Sequence, residues 1–310
     1  IIMKLIKYLI TSIICSILTI NNCNSVENKI LFKVNNEIIT SVDILIELEY
    51  LKIINKEFRK TKKRKAFEIS KNSLIREKIK EIEIKKIIKE IEIEDKTLNN
   101  LILNYFNELE IKSILDFEKY FLNRNIDPNL IRKKISLELL WNQLIYSKYN
   151  QNVKIDKESI KNDLLNNTKQ KELLISEILF NINENENLEE KFNLIENNIK
   201  KTNFSQTALT YSISDTSNKG GSLGWMTESI LSKKIYIKLK DLKKGEHTKP
   251  ILVPGGFLIL QLLDSREIDK DFNIDDEIKK IVNEKTNQQL NRFSNIYFNK
   301  VRKNITINEL

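Results

Sequence analysis

Isoleucine, leucine and phenylalanine recur three and four residues apart along most of this chain, the period of an amphipathic helix. Ile44, Leu48 and Leu51 set the first such stripe. Ser41 ahead of it is a predicted N-cap, and Asp43 and Glu47 sit early in the helix, where its dipole favours acids. A second, longer helix is predicted over Ser70 to Glu94, with Ile75, Ile79, Ile82, Ile87, Ile88 and Ile91 as its apolar face. Pairs such as Glu81 and Lys85 lace its polar face. Helical patterns continue over 95–109, 113–122, 130–149 and 155–165. The string NIDPN at 125–129 interrupts them and places Asp127-Pro128 at a helix start. A last long helix is predicted over 271–304, carrying Ile278, Ile281, Val282, Leu290, Phe293, Ile296, Tyr297 and Val301.

Strand-like runs are few. KILFKVNNEIIT, at 29–40, reads as two β-prone runs around Asn35-Asn36, which tolerate the positive φ of a tight hairpin. Thr306-Ile307 is a candidate third strand beside it. Glu172 to Phe180 (ELLISEILF), Ile251 to Val253 and Phe257 to Leu263 are further strands, the last two joined by Pro254-Gly255-Gly256. Short helices are predicted between them over 188–200, 204–211 and 230–239, and a turn centred on Gly245 over 241–250. Six glycines and three prolines in 310 residues fit this helix-rich reading better than a many-turned all-β fold.

Composition narrows the chemistry. With 41% hydrophobic and 31% charged residues the chain can bury a core. Its formal charge of +9 reads first as a solvated basic surface, and it leaves weak membrane-surface association open. The basic run at 60–65 is short and has no aromatic-studded sheet or helix-turn-helix pattern beside it, which argues against nucleic acid as a partner. Cys15 and Cys23 both lie in the first 23 residues, so the rest of the chain has no disulfide, thiolate nucleophile or cysteine metal site. His247, the single histidine, falls in the segment KKGEHTKP and is expected to be a solvated turn residue.

The N-terminus is read as a secretory signal over residues 1–24. Lys4 and Lys7 give a positive start, the stretch from Leu5 to Ile20 is acid-free and almost entirely apolar, and NNCNSVEN follows it. As a helix that run spans about 24 Å, short of a hydrocarbon core of roughly 30 Å. Lipidation at Cys23 and a retained membrane anchor are the alternatives.

The string GGSLGWM at 220–226, followed by LKKGEHTKPILVPGGFLILQLLD, closely resembles the signature of the parvulin prolyl isomerases, turn for turn and in spacing. The resemblance implies an FKBP-like α/β domain with a small antiparallel sheet and a site that needs no cofactor. Active parvulins carry two histidines on adjacent strands and a Cys or Asp on a nearby loop. Those positions fall here on Glu177, Leu258 and Ser214, with Asp215 next to it, so neither histidine is present. The apolar cup for the substrate proline would use Leu231 and Ile235 with Leu258, and Trp225 and Phe257 are further candidate binding residues. An aliphatic cup without polar machinery suits binding more than catalysis.

The remainder is similar to SurA-type chaperones. The matching features are VNNEIITSVDI after the leader, an EIEIED-like helix end, DPNLIRKKISLELLWNQLI and KIDKESI, and the terminal NQQLNRFSNIYFNKVRKNITINEL. Their order carries the resemblance. It implies an α+β protein with a mainly helical chaperone unit over 25–168, a parvulin-like unit over 169–267, and a C-terminal helix over 268–310 that packs back on the helical unit. The expected function is a periplasmic chaperone that binds unfolded or nascent outer-membrane or secreted polypeptides. An active isomerase that assists folding is the alternative, and a cell-envelope scaffold a third.

Overall fold

The computed structural model describes residues 28–88, 93–166, 169–182, 186–269 and 273–310. The predicted leader, both cysteines and Ile91 lie outside them. Among the described residues no helix is long and apolar enough to cross a membrane.

The hairpin forms as its sequence suggests: β1 (Ile30–Val34) pairs antiparallel with β2 (Glu37–Thr40), and Asn35 turns the chain at φ +50°. The terminal segment adds β7 (Ile307–Glu309) to the other edge of β1. The first helix, α1 (Ser41–Ile54), is capped one residue earlier than expected. Thr40 has extended backbone; its hydroxyl accepts from the Asp43 amide, and the Asp43 carboxylate accepts from the Thr40 amide, closing a capping box. The Ser41 hydroxyl instead accepts from the Lys29 amide.

Helix α2 covers Lys63–Lys85, shifted from the predicted 70–94. It starts inside the basic run because Ala66 and Ile69 already bury there. It stops early because Lys86 and Ile87 bond back three residues, to Glu83 and Ile84, tightening the last turn; Ile87 is therefore exposed, not part of the apolar face. Then follow α3 (Asp95–Tyr105), α4 (Ile114–Leu122), α5 (Pro128–Tyr149) and α6 (Lys157–Asn166). Asp127 caps α5 with Pro128 in its first turn, as the sequence reads. Phe106, Phe117 and Phe121 pack edge-on and stacked in the core that α1, α3, α4 and α5 share.

The second half is a four-stranded antiparallel sheet in the order β4-β3-β6-β5: β3 (Lys169–Phe180), β4 (Ser222–Thr227), β5 (Ile251–Val253) and β6 (Gly256–Asp269). Strand alternation gives it two apolar faces. Ile178, Phe180 and Ile259 point one way, onto α7 (Leu188–Lys201) and α8 (Phe204–Tyr211). Ile175, Leu179, Leu258, Leu260 and Leu262 point the other, onto α9 (Lys233–Leu239). Strand β4, most of it within GGSLGWM, was not among the predicted strands; it pairs with β3 from Glu172↔Thr227 to Ser176↔Ser222. One predicted boundary also moves. The predicted helix 230–239 begins only at Lys233, where the Ser232 hydroxyl caps it.

Helix α10 (Ile274–Lys303) returns to the first half. Trp141, Leu144 and Ile145 of α5 pack with Phe293, Tyr297 and Phe298, and Val301 joins β1 and α2 around Phe32 and Val34. The fold is α+β.

Across α2 and α5, Glu81 is buried with its carboxylate against Lys85 at 3.0 Å, Lys133 at 2.8 Å and Lys78 at 3.0 Å. Burial alone would raise its pKa; the three ammonium groups overcome this and hold it at about 2 against an ordinary 4.5. The contribution is fully present above pH 4.5 and is lost as pH falls toward 2. The melting temperature should therefore decline on acidification through that window, and Glu81→Gln should flatten the decline while costing about 1–3 kcal/mol at neutral pH. An unchanged pH profile in the variant would remove this role from Glu81.

Candidate functional site

The cup-side face of the sheet opens into a cavity of about 120 Å³ lined by Leu223, Met226, Leu231, Ile235, Val253, Pro254, Leu258 and Leu260. Gly256 at φ +141° lets β6 start against Phe180; a Cβ there would lie 2.5 Å from the Phe180 carbonyl oxygen. Gly221 does the same at the other end. Its φ is +77° and a Cβ would fall 2.1 Å from the Glu177 carbonyl oxygen, so only glycine lets this loop close on β3, where its carbonyl accepts from the Glu177 amide at 2.7 Å.

One side of the cavity is polar. Glu177 of β3 reaches it between Ile175 and Leu179, and its carboxylate accepts from Thr216 Oγ1 at 2.8 Å. Hydroxyls continue the chain: Thr216 to Ser214 at 2.8 Å, and Ser214 to Ser212 at 2.9 Å. Burial pushes the Glu177 carboxyl above its ordinary value; the Thr216 and Ser214 hydroxyls counter that only in part.

The loop that carries these hydroxyls is held from outside the sheet. The Arg76 guanidinium, on α2, donates to the Ser214 carbonyl at 2.7 Å, the Ser212 carbonyl at 3.1 Å and Ser217 Oγ at 3.0 Å. One turn on, Lys80 is buried between Asp215 at 3.0 Å and Glu138 at 2.8 Å. Burial would raise the Asp215 carboxyl, but the Lys80 and Arg76 cations hold it below its ordinary value. From α10, Ser294 donates to Asp215 and accepts from Trp141 Nε1 at 2.8 Å. The fourth wall of the cavity is also α10, through Gln288, Asn291, Arg292 and Asn295.

Of the residues singled out in the sequence, Glu177, Ser214, Leu258, Leu231 and Ile235 all line this cavity. Leu231 does so from the loop before α9, and Ile235 from the helix. Phe257 does not: it neighbours Leu258 on β6, so it points through the sheet and stacks on Phe180 at 5.8 Å. Trp225 is exposed on β4, with the Arg266 guanidinium 4.1 Å over its ring. His247 is not a free turn residue: it forms a β-bridge with Gln261, and it is outside the cavity lining. Thr216 and the α10 wall were missed. Thr216 lies two residues past Ser214 on one loop and was within reach of the sequence; the α10 side chains are some 75 residues away and nothing local connects them.

Among the described residues no group of three or more acids, histidines or cysteines could hold a metal ion.

The model of the Rotamase family, the PPIC-type PPIASE domain, matches residues 177–264, so the chain carries a parvulin-type domain. The chain is similar to Chaperone SurA of Pseudomonas fluorescens, at 25% identity over 187 residues, covering 57% of this chain and 44% of the relative. It is similar to Chaperone SurA of Buchnera aphidicola, at 36% identity over 114 residues, covering 33% and 26%. It thus spans less than half the length of these curated relatives. Among solved structures, a PpiC-type isomerase domain matches at 30% identity and TM-score 0.28, covering 32% of this chain and 95% of that one. A SurA-like chaperone structure from Campylobacter jejuni matches at 19% identity and TM-score 0.35, covering 91% and 99%.

Removing the Lys80 cation should leave Glu138 without its counter-charge and Asp215 with Arg76 as the remaining one. Because both carboxylates are partly exposed, Lys80→Met is expected to cost about 1–2 kcal/mol in urea unfolding, and adding Asp215→Asn should recover part of it. Strictly additive losses in that double-mutant cycle would separate the two residues.

Proposed function

We propose that the chain is a periplasmic, exported chaperone that holds unfolded outer-membrane or secreted polypeptides, and that its parvulin-type domain serves binding with weak or absent isomerase activity. The observation that carries this reading is the cavity: an aliphatic cup with no histidine on it. Leu258 and Glu177, which the resemblance aligns with the family's histidine positions, both line it. Rotation about a prolyl bond faces a barrier of about 18–20 kcal/mol, and lowering it needs groups that favour the twisted amide. Here the Glu177 carboxylate and the Ser212, Ser214 and Thr216 hydroxyls on the sheet side of the cup are bonded to one another. The named relatives, called chaperones, support the same reading. In this proposal residues 25–168 are the helical chaperone unit, 169–267 the parvulin unit and 268–310 the returning helix. Client segments are bound at the Leu231, Ile235 and Leu258 cup, with weak membrane-surface association as a secondary property of the +9 charge.

A second reading, an active isomerase, draws on the raised Glu177 carboxyl, which could donate a hydrogen bond into the cup when protonated. A protease-coupled assay on proline tetrapeptides separates the two. Turnover well below that of histidine-bearing parvulins is expected, and comparable turnover overturns the binding-module reading.

For the chaperone itself, the expected result is suppression of aggregation of an unfolded β-barrel protein near a one-to-one ratio. Leu258→Asp, which sets a charge into the cup, should weaken that suppression several-fold with the fold intact by circular dichroism. Full suppression by the variant would move client binding off the cup.

A further inference from the structure

The acids of the cavity are engaged and its nearest cation is not. Glu177 is held by Thr216, and Asp215 by Lys80 and Ser294. Arg292 lines the same cavity from α10, half-buried, and among the described residues its guanidinium has no hydrogen bond or ion pair. Burial pulls its guanidinium below the ordinary value, and the neighbouring Glu177 offsets part of that. The side-chain amides of Gln288, Asn291 and Asn295 on the same helix wall are likewise without hydrogen bonds among the described residues. Away from the cavity, α10 behaves differently: Ser294 bonds Trp141 and Asp215, and Gln289 bonds both the amide and the carbonyl of Lys154. The unengaged polar groups therefore lie on the cup side.

Their dimensions fit a peptide. Residues 288 to 295 span about 10 Å of helix, the length of roughly three residues of extended chain. An apolar cavity near 150 Å³ holds one benzene-sized group, so about 120 Å³ takes one side chain of proline or leucine size and no more. Three amides can meet the donors and acceptors of an extended backbone on both sides of that side chain. A guanidinium presents a planar fork that a carboxylate accepts bidentately.

We propose that the cup and Arg292 together select internal client segments in which an aspartate or glutamate adjoins the buried apolar residue. This rests on the cup being the client site. Arg292 is a specificity residue: it lies in the returning helix, outside the span of the parvulin-type domain, so the preference belongs to the assembled chain and not to that domain alone.

The test is fluorescence anisotropy of the full chain with acetylated, amidated peptides carrying Glu-Leu, Gln-Leu or Lys-Leu at their centre. The Glu-Leu peptide should bind about tenfold tighter than Gln-Leu, with Lys-Leu weakest. Arg292→Gln should bring the Glu-Leu to Gln-Leu ratio near one, and Arg292→Lys should keep part of the ratio. Equal binding of Glu-Leu and Gln-Leu by the unmodified chain overturns the proposal and needs no variant. A ratio that survives Arg292→Gln overturns the role of Arg292. A Gln-Leu peptide with a free C-terminal leucine that binds tighter than Glu-Leu assigns the fork to chain ends and overturns the internal segment. If no peptide binds, or if Leu258→Asp leaves binding unchanged, the cup reading falls and this inference with it.

Discussion

Two cations one turn apart on α2 fix the loop at 212–217, and the shape of the cavity follows from that grip. Arg76 meets two carbonyls and a hydroxyl of the loop, and Lys80 meets the Asp215 carboxylate. Lys80 is buried while Asp215 keeps about a third of its side chain exposed, so losing this pair costs less than the roughly 3–5 kcal/mol of a fully buried one. The loop carries Ser214, Asp215 and Thr216 to the cavity rim. A parvulin-type sheet supplies the cup, but a helix from the other half of the chain sets the position of its polar edge.

The returning helix completes the same arrangement. Its inner face is aromatic: Tyr297 lies 5.7 Å from Trp141, and Phe293 stacks on Tyr149 at 5.0 Å. That packing anchors α10 to α5, and Ser294 in the middle of it reaches Asp215. Its other face then meets the cup as a wall. The same apolar contacts that close the helical core thus decide which polar side chains face the cavity, since a helix anchored along one stripe has its remaining faces fixed. β7, at the end of this helix, locks the arrangement by pairing with β1.

What the sequence made legible was what local period and local turn chemistry control. The Asn35 turn, the Asp127-Pro128 start and α8 at Phe204–Tyr211 were readable because a few adjacent residues determine them. Strand parity was equally local, and reading it strictly would have sent Phe257 to the opposite face from Leu258. Boundaries failed where tertiary contact overrides propensity. Ser41 and Thr40 can both cap, and the bond from Lys29 occupies the serine. The candidate site was half legible. Glu177, Ser214 and Leu258 were placed by resemblance and do converge on one cavity, while Arg76, Lys80 and Arg292 come from segments whose only link to it is the folded chain.

The distribution of satisfied and unsatisfied polar groups gives this site its character. A buried carboxylate or hydroxyl left alone would cost about 1–3 kcal/mol, and here each such group on the parvulin side is bonded within the protein. Those bonds keep the edge rigid, and they also occupy the groups that would otherwise act on a bound amide. The side chains of Gln288, Asn291, Arg292 and Asn295 on the α10 wall have no such bond among the described residues, which leaves them open to a ligand. Binding energy can therefore come from the helix wall and the aliphatic floor together, and the sheet's polar edge contributes shape. If the cup is the client site, ligands would be told apart by what lies against α10, so the returning helix is where specificity in this chain is to be sought.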